Sequence, residues 1–307
     1  MVNPVIKVRF FNMHMNRSSN PNDAQSLADD KGWMESLNNL YTRDHDYTWK
    51  DIQITCDEDY DYAVVIDSVF TQNYFDPSNT ILFRMEPKSL RELFDNYQQS
   101  IRPETFLKVY DFNILWTWVG FFDYMQFFTE SFEKTKMLSS IISANHSTSG
   151  HIDRLSFLTY LDRLAYFDHY GDERGILGFF DDLKSYRGKI ATKKGGLIPY
   201  KYHFNAENSN EYNYFSEKFI DALLCECLVF YDGCLNLEDY IDKDAFIKLD
   251  LKNPEQSLEI VKTSIEQNEW EKRIDLVRQE KKKVLEELNI LNVVYNTVHG
   301  FKNYFEK

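Results

Sequence analysis

The 307-residue sequence has few of the residues that define several common protein classes. It contains four cysteines, and no two of them form a C-x-x-C pair, which disfavours a disulfide framework and a zinc site. We predict free thiols, three of them in or beside a buried helix-strand unit. The four are Cys56 and, at that unit, Cys225, Cys227 and Cys234. The sequence also has no uninterrupted apolar run of about 18 residues, the minimum for a transmembrane helix.

Basic residues are scarce as well. The chain has 35 Lys and Arg against 49 Asp and Glu, which gives a net charge of -14 and a pI of about 5.0. Wrapping a nucleic-acid backbone requires the opposite excess, so we predict no nucleic-acid partner and only a few local cations for any bound phosphate. The N-terminal residues alternate apolar and polar side chains and contain no apolar signal-peptide core. We therefore expect a soluble, cytoplasmic protein.

What the sequence has in quantity is apolar and aromatic side chains. Hydrophobic residues make up 43% of the chain and aromatic residues 16%. The length is about twice that of a typical domain. Short apolar runs that alternate with helical stretches predict an α/β architecture with largely parallel sheets. The pattern restarts after the polar run at 133–136, so we place one domain at 1–133 and a second at 134–307.

The same patterns predict individual elements. The expected strands are 5–11, 51–55, 62–66, 80–85, 106–110, 137–143, 200–206, 227–231 and 245–249, and the expected helices are 24–40, 88–98, 151–164 and 216–226. After Pro254, apolar residues at three- and four-residue spacing predict an amphipathic helical tail. Its charges are most simply a solvated face, a coiled coil is the less favoured alternative, and the expected surface for any homo-oligomer is this tail.

Polar side chains gather where one predicted strand ends and a helix begins. The strand at 200–206 runs into Glu207, Asn208 and Ser209, and Ser216 is a suitable N-cap for the helix that follows. Strand ends that face a helix N-terminus are where α/β sheets bind phosphorylated ligands. Lys218 in the first helical turn opposes the helix dipole, so it favours a nearby anion.

Three neighbouring side chains suit a nucleotide. Asn208 offers an amide, Tyr214 an aromatic face for a base, and Glu217 a carboxylate that can accept hydrogen bonds from two ribose hydroxyls. The residues alone leave two interpretations open, a nucleotide site and an ordinary capped helix.

A segment of this region also matches a family pattern at many positions in order. The matches are Phe204, the triplet 207–209, the run Tyr214-Phe215-Ser216-Glu217-Lys218, the pair Asp221-Ala222, the triplet Tyr231-Asp232-Gly233, and then Asn236 and Tyr240. The segment resembles the donor-binding signature of glycosyltransferase family 10, the alpha-1,3-fucosyltransferases. The resemblance extends from 134 to 290 and is faint before that.

The resemblance implies roles for two further residues. Arg154 falls on the arginine that holds the donor diphosphate in this family, and 167–171 is similar to the family's D-x-Y-G strand end. In the first domain only 80–87 is similar, to a turn whose glutamate is the family's general base. Glu86 is therefore the expected base, and the alternative is an exposed Glu before a proline, Pro87, that starts a helix.

The resemblance also implies a fold and an activity. The fold is of GT-B type, with two facing Rossmann-like domains and a C-terminal amphipathic helical tail. The activity is inverting transfer of L-fucose from GDP-β-L-fucose to a glycan hydroxyl, so the expected partners are a nucleotide sugar and a glycan acceptor. Arg154 and Lys218 can hold a diphosphate together, so we expect no obligatory metal or cofactor. The acidic runs 57–62 and 181–182 resemble metal-binding D-x-D motifs, but solvated loops are the simpler interpretation.

One position departs from the family pattern. Asp232 replaces a tryptophan and exchanges a flat apolar surface for a carboxylate near the site. Asp232 is a further candidate site residue, as are Glu207 and Ser209 from the polar cluster at the strand end. The alternatives to a fucosyltransferase are a related transferase with another nucleotide sugar and, less favoured, a non-catalytic nucleotide- or glycan-binding module. His146 and His151 either touch the donor or cap a helix, and we predict capping.

Overall fold

The computed structural model describes residues 5–12, 24–67, 76–88, 105–111, 124–173 and 178–306. The described chain divides into two compact units. The first contains the described residues up to 111, together with 124–128 and 285–306. The second contains 129–173 and 178–284.

Eleven strands and eight α-helices lie in the described ranges. The strands are β1 (Ile6–Asn12), β2 (Thr48–Trp49), β3 (Ile52–Ile54), β4 (Tyr62–Ile66), β5 (Thr80–Phe83), β6 (Lys108–Tyr110), β7 (Lys136–Ile141), β8 (Phe167–Tyr170), β9 (Tyr200–Ala206), β10 (Leu228–Asp232) and β11 (Phe246–Lys248). The helices are α1 (Ala24–Tyr41), α2 (Tyr124–Thr129), α3 (Ser149–Leu161), α4 (Lys194–Leu197), α5 (Glu217–Leu224), α6 (Pro254–Glu266), α7 (Glu269–Glu286) and α8 (Ile290–Val298).

The first unit is built on a six-stranded sheet with the order β2-β3-β1-β4-β5-β6. Only the short edge strand β2 is antiparallel to its neighbour, and every other pairing is parallel. Alternate residues on its strands face one buried cluster, which contains Phe11, Ala63, Val65 and Leu82. This two-residue period is what places one side of each strand in the core.

The second unit is built on a five-stranded, fully parallel sheet with the order β11-β10-β9-β7-β8. Its central strand β9 is buried at six of seven positions, as expected for a parallel strand covered on both faces. Strand β8, which follows β7 in the chain, lies on one side of β7, and the next strand, β9, lies on the other side. The strand order therefore reverses at β7, and in open α/β sheets ligands bind outside the carboxyl ends of the strands at such a reversal.

The structure confirms the predicted α/β class with two parallel sheets. Strands β4 and β9 have the predicted bounds, and the predicted tail consists of α6, α7 and α8. The predicted helix at 88–98 lies outside the described residues from position 89 onward.

The end of the tail belongs to a different unit from the one its sequence position suggests. Asn289 Nδ2 donates to the Tyr41 carbonyl at 2.9 Å, and the hydroxyls of Tyr110 and Thr297 are 2.7 Å apart. Residues from 285 onward therefore pack in the first unit, whereas the predicted second domain extended to 307. Helical periodicity shows which face of a helix is apolar but not which core that face covers.

Two further expectations can be compared with the structure. All four cysteines are free, and Cys225, Cys227 and Cys234 are buried, as predicted. Within the described ranges, no helix is both long and apolar enough to cross a membrane.

Candidate functional site

A cavity of about 940 Å³ opens at the carboxyl end of the second sheet. It is bordered by residues that directly follow β7 and β8, by the last residue of β9, and by the segment that precedes α4. The helices α3 and α5 contribute charged side chains to its wall. The lining residues are 141–143, Arg154, 171–173, 189–193, Ala206, Glu217 and Lys218. Its volume lies in the range that small-molecule ligands occupy.

A capping box starts helix α3 beside this cavity. The Thr148 hydroxyl accepts from the His151 amide at 3.3 Å, and His151 Nδ1 accepts from the Thr148 amide at 3.1 Å. Burial, followed by the positive charges of Arg154 and Lys218, lowers the pKa of His151 to about 4, so its ring is neutral at pH 7. The capping role predicted for His151 is confirmed.

Gly150 lets the start of α3 approach the end of β9. A Cβ at this position would lie 2.5 Å from the Asn208 carbonyl oxygen and 2.7 Å from that of Glu207. Both neighbours are backbone atoms, so a side chain can be accommodated only if the helix moves. Because Arg154 follows Gly150 by four residues, the same helical face presents its side chain to the end of β9.

We expect Gly150→Ala to lower the free energy of unfolding by about 1 to 3 kcal/mol, the typical cost of an overpacked core position. The matched control is Gly32→Ala in α1, where a Cβ would meet no atom within 4 Å. Chemical denaturation of both variants measures the difference. Equal stability of the two variants would contradict a close contact between α3 and the end of β9.

Arg154 is a buried cation at the cavity wall. The residue is 4% exposed, and Nη1 donates to Asn208 Oδ1 at 2.8 Å and to the Ala206 carbonyl at 3.4 Å. Both acceptors are neutral, and burial lowers the pKa of the guanidinium. Its Nε is buried and has no hydrogen-bond partner among the described residues. The carboxylates of Glu207 and Glu217 offset part of this charge. An anion in the cavity would compensate the rest.

Helix α5 begins on the other side of the cavity, as predicted, at the N-cap Ser216. The Ser216 hydroxyl accepts from the Lys218 amide, and the buried Glu207 carboxylate accepts from both the amide and the hydroxyl of Ser216, at 2.9 and 2.7 Å. A carboxylate at this end of a helix also interacts favourably with the helix dipole. Glu207 therefore fixes the start of α5.

Four charged side chains form a continuous series at this helix start. Glu217 Oε1 lies 3.4 Å from Lys218 Nζ and 3.6 Å from Lys193 Nζ, and Lys193 Nζ lies 2.5 Å from Asp221 Oδ2. Although burial raises the pKa of Glu217, Lys218 and Lys193 lower it overall, so it is ionised at neutral pH. Burial raises the pKa of Asp221 to about 6, against the opposing effect of Lys193.

The structure brings three predicted site residues to the lining of the cavity, and the other five candidates of the second unit lie outside the lining. Arg154, Glu217 and Lys218 line the cavity. Asn208 lies outside the lining and accepts a hydrogen bond from Arg154. Tyr214 is only 5% exposed and is not part of the lining. The remaining side chains are hydrogen-bonded outside the lining: Glu207 to Ser216, Ser209 to Glu211, and Asp232 to Asn210.

Glu86 lies in the first unit, at the carboxyl end of β5. Asp67, at the end of β4, has a positive φ of 55°, and its Oδ1 accepts from the amides of Met85 at 2.6 Å and Glu86 at 3.3 Å. A non-glycine residue in this region of φ is uncommon and requires support from its surroundings. The Asp67 side chain thus fixes the turn on which the partly buried Glu86 lies.

The part of the cavity wall that 171–173 and 189–193 form was not predicted from the sequence. Lys189 and Lys193 lie there, as do Asp172 and Glu173 at the end of β8. Lys193 had one indirect signal, because Asp221 lies in a strongly apolar stretch and a buried carboxylate requires a cation. No comparable signal marks the other three.

In the part of the chain that the structure describes, no three His, Cys, Asp or Glu side chains are grouped as a metal site would require.

Comparisons with known proteins identify the class of fold. No protein-family model matches the sequence, and no curated protein matches it. Several solved structures do share the architecture of the chain, and they are glycosyltransferases of the GT-B type. The chain therefore has the GT-B fold.

Three of these structures are similar over nearly the whole chain. An α1,3-fucosyltransferase solved with GDP has 15% identity and a TM-score of 0.50, over 99% of this chain and 93% of its own. The DNA-modifying β-glucosyltransferase, whose substrate is uridine diphosphoglucose, has 9% identity and a TM-score of 0.52, over 96% and 100%. A glycosyltransferase from Rickettsia africae has 9% identity and a TM-score of 0.51, over 97% and 98%.

Proposed function

We propose that this chain is an inverting glycosyltransferase that transfers L-fucose from GDP-β-L-fucose to a glycan hydroxyl. The observation that supports it most directly is the buried Arg154, whose guanidinium borders the cavity at the carboxyl end of the second sheet and keeps one donor, Nε, without a partner among the described residues. The GT-B fold and the resemblance of 204–240 to the donor signature of family 10 support the same activity.

The diphosphate of the donor is assigned to two cations. Arg154 can donate two parallel hydrogen bonds to phosphate oxygens, whereas Lys218 acts as a point charge at the start of α5. As the bond between the sugar C1 and the diphosphate oxygen breaks, negative charge develops on that oxygen. Preorganised cations stabilise such charge without reorganisation, so the proposal requires no divalent metal.

The nucleoside is assigned to the helix start beside them. Glu217 is an ionised acceptor at the cavity wall and suits the two ribose hydroxyls. Tyr214 was expected to offer its face to the base, but its burial leaves it a packing role at the start of α5.

Glu86 is assigned the proton transfer. In an inverting displacement, the acceptor oxygen attacks C1 from the face opposite the leaving group while a base removes the hydroxyl proton. The base must be held in place before the substrate arrives, and Asp67 fixes the backbone of the turn that presents Glu86. The acceptor is a glycan, and Glu86 would accept the proton of its attacking hydroxyl.

A second candidate is a related transferase with another nucleotide sugar. It is favoured by Asp232, which stands where the family has a tryptophan. Burial, followed by the neighbouring carboxylates of Asp250 and Asp153, raises the pKa of Asp232 to about 6. Asp232 lies outside the lining of the cavity, so this candidate rests on the departure from the family pattern alone.

A thermal-shift panel with GDP-fucose, GDP-mannose and UDP-glucose distinguishes the two candidates. A ligand present at a hundred times its Kd stabilises the protein by about 2.7 kcal/mol. The proposal predicts that GDP-fucose gives the largest increase in melting temperature. A larger increase with GDP-mannose or UDP-glucose would favour the second candidate, and no increase with any of the three would contradict both.

A further inference from the structure

The cavity wall contains a lysine whose ammonium pairs with two carboxylates of α5. Lys193 lies in the segment before α4, and its Nζ is 2.5 Å from Asp221 Oδ2 and 3.6 Å from Glu217 Oε1. Its side chain is 20% exposed and lines the cavity. Lys193 therefore links two walls of the cavity, the 189–193 segment and the first turns of α5.

The geometry of α5 explains why one ammonium reaches both carboxylates. Glu217 and Asp221 are four residues apart, so they lie one above the other on the same helical face. Asp221 is fully buried, and Lys193 compensates its charge. Loss of the Lys193 ammonium would leave Asp221 buried and unpaired, which is strongly destabilising. The pair therefore keeps the ammonium beside the first turns of α5.

Glu217 is thereby held between two cations. Lys218 approaches Oε1 from the helix start, and Lys193 approaches the same oxygen from the opposite wall. Two cations beside one carboxylate restrict its rotation, so its orientation at the cavity wall is set in advance. A side chain ordered before binding loses less conformational entropy when a ligand arrives.

We propose that Lys193 is a positioning residue for nucleoside binding, which orients the Glu217 carboxylate toward the two ribose hydroxyls and is itself anchored by Asp221. This inference rests on the proposed function, because it assumes that Glu217 binds the ribose of the donor. It goes further in assigning the contribution of Lys193 to the ribose alone, while Arg154 and Lys218 bind the diphosphate.

The test compares two nucleotides that differ only at the ribose, GDP and 2′,3′-dideoxy-GDP. Calorimetric titration of the whole chain should show tighter binding of GDP. In Lys193→Met, the affinity for GDP should fall about tenfold or more, the scale of a hydrogen bond to a charged group, while the affinity for the dideoxy nucleotide should change less than about threefold.

Two more variants keep the result interpretable. Lys193→Met alone leaves Asp221 buried without its cation, so the double variant Lys193→Met/Asp221→Asn removes the pair together and should show the same ribose-dependent loss. Lys189→Met removes another cation from the same cavity, but that ammonium is 75% exposed and faces Asp172 at 3.8 Å. It should affect GDP and dideoxy-GDP equally.

Each outcome decides the inference. Equal loss of affinity for both nucleotides in the Lys193 variants would overturn it, since Lys193 would then contact the diphosphate or support the fold. Unchanged GDP affinity in the double variant would overturn it as well. If the wild-type chain binds neither nucleotide, the proposed function falls together with the inference. If the wild type binds GDP and only the Lys193 result fails, the proposed function stands.

Discussion

Replacing Glu86 with glutamine is expected to lower turnover about a hundredfold or more and to leave GDP affinity unchanged. General base catalysis contributes on this scale, and an amide cannot take the acceptor proton. The substitution preserves the size of the side chain. It also preserves the backbone amide that donates to Asp67, so the turn after β5 should keep its conformation.

The matched control for Glu86 is Glu35→Gln, the same change at an exposed position of α1. It should retain wild-type turnover and melting temperature. The measurement is release of GDP from GDP-fucose in the presence of glycan acceptors, with GDP affinity measured separately by calorimetry. Normal turnover by Glu86→Gln would place the base elsewhere.

Replacing Arg154 with alanine is expected to weaken GDP binding by about 1 to 3 kcal/mol, the scale of hydrogen bonds to a charged group. The guanidinium is buried, and its Nε lacks a partner among the described residues, so the bound diphosphate should depend on it strongly. Lys218→Ala should weaken binding within the same range.

Arg163→Ala provides the control for this experiment. Arg163 follows the C-terminus of the same helix, and its exposed guanidinium pairs with Glu255 instead of lining the cavity. Exposed ion pairs of this kind contribute little to stability, so the variant should bind GDP as the wild type does. If Arg154→Ala and Lys218→Ala both retained wild-type affinity, the diphosphate assignment would be wrong.

Local signals in the sequence were sufficient for much of the fold. Strand β9 was predicted at its observed bounds because Tyr200, Tyr202 and Phe204 alternate with polar residues at the two-residue period of a strand. The start of α5 followed from Ser216, whose hydroxyl caps the helix as its type and position indicate. Both features depend on residues that are close in sequence.

Features that depend on distant parts of the chain could not be predicted this way. The return of α8 to the first unit is fixed by contacts such as that of Asn289 with Tyr41, 248 residues apart. Lys193 reaches Asp221 across 28 residues, and nothing around Lys193 distinguishes it from a solvated lysine. Tyr214 shows the same limit, because an aromatic side chain suits both stacking on a base and burial.

The resemblance to glycosyltransferase family 10 identified one site residue that local residue patterns did not. Arg154 is an ordinary helical arginine in its local sequence, and only the match to the family's arginine singled it out. The structure then placed it at the cavity with Glu217 and Lys218. The resemblance says nothing of Lys193.

The most direct test of the central claim is calorimetric titration of the wild-type chain with GDP, GDP-fucose and UDP, with EDTA in the buffer. The account predicts that GDP and GDP-fucose bind without metal and that UDP binds more weakly by at least about tenfold, or 1.4 kcal/mol. Absence of GDP binding, or tighter binding of UDP, would contradict it and would leave the GT-B fold without the proposed donor.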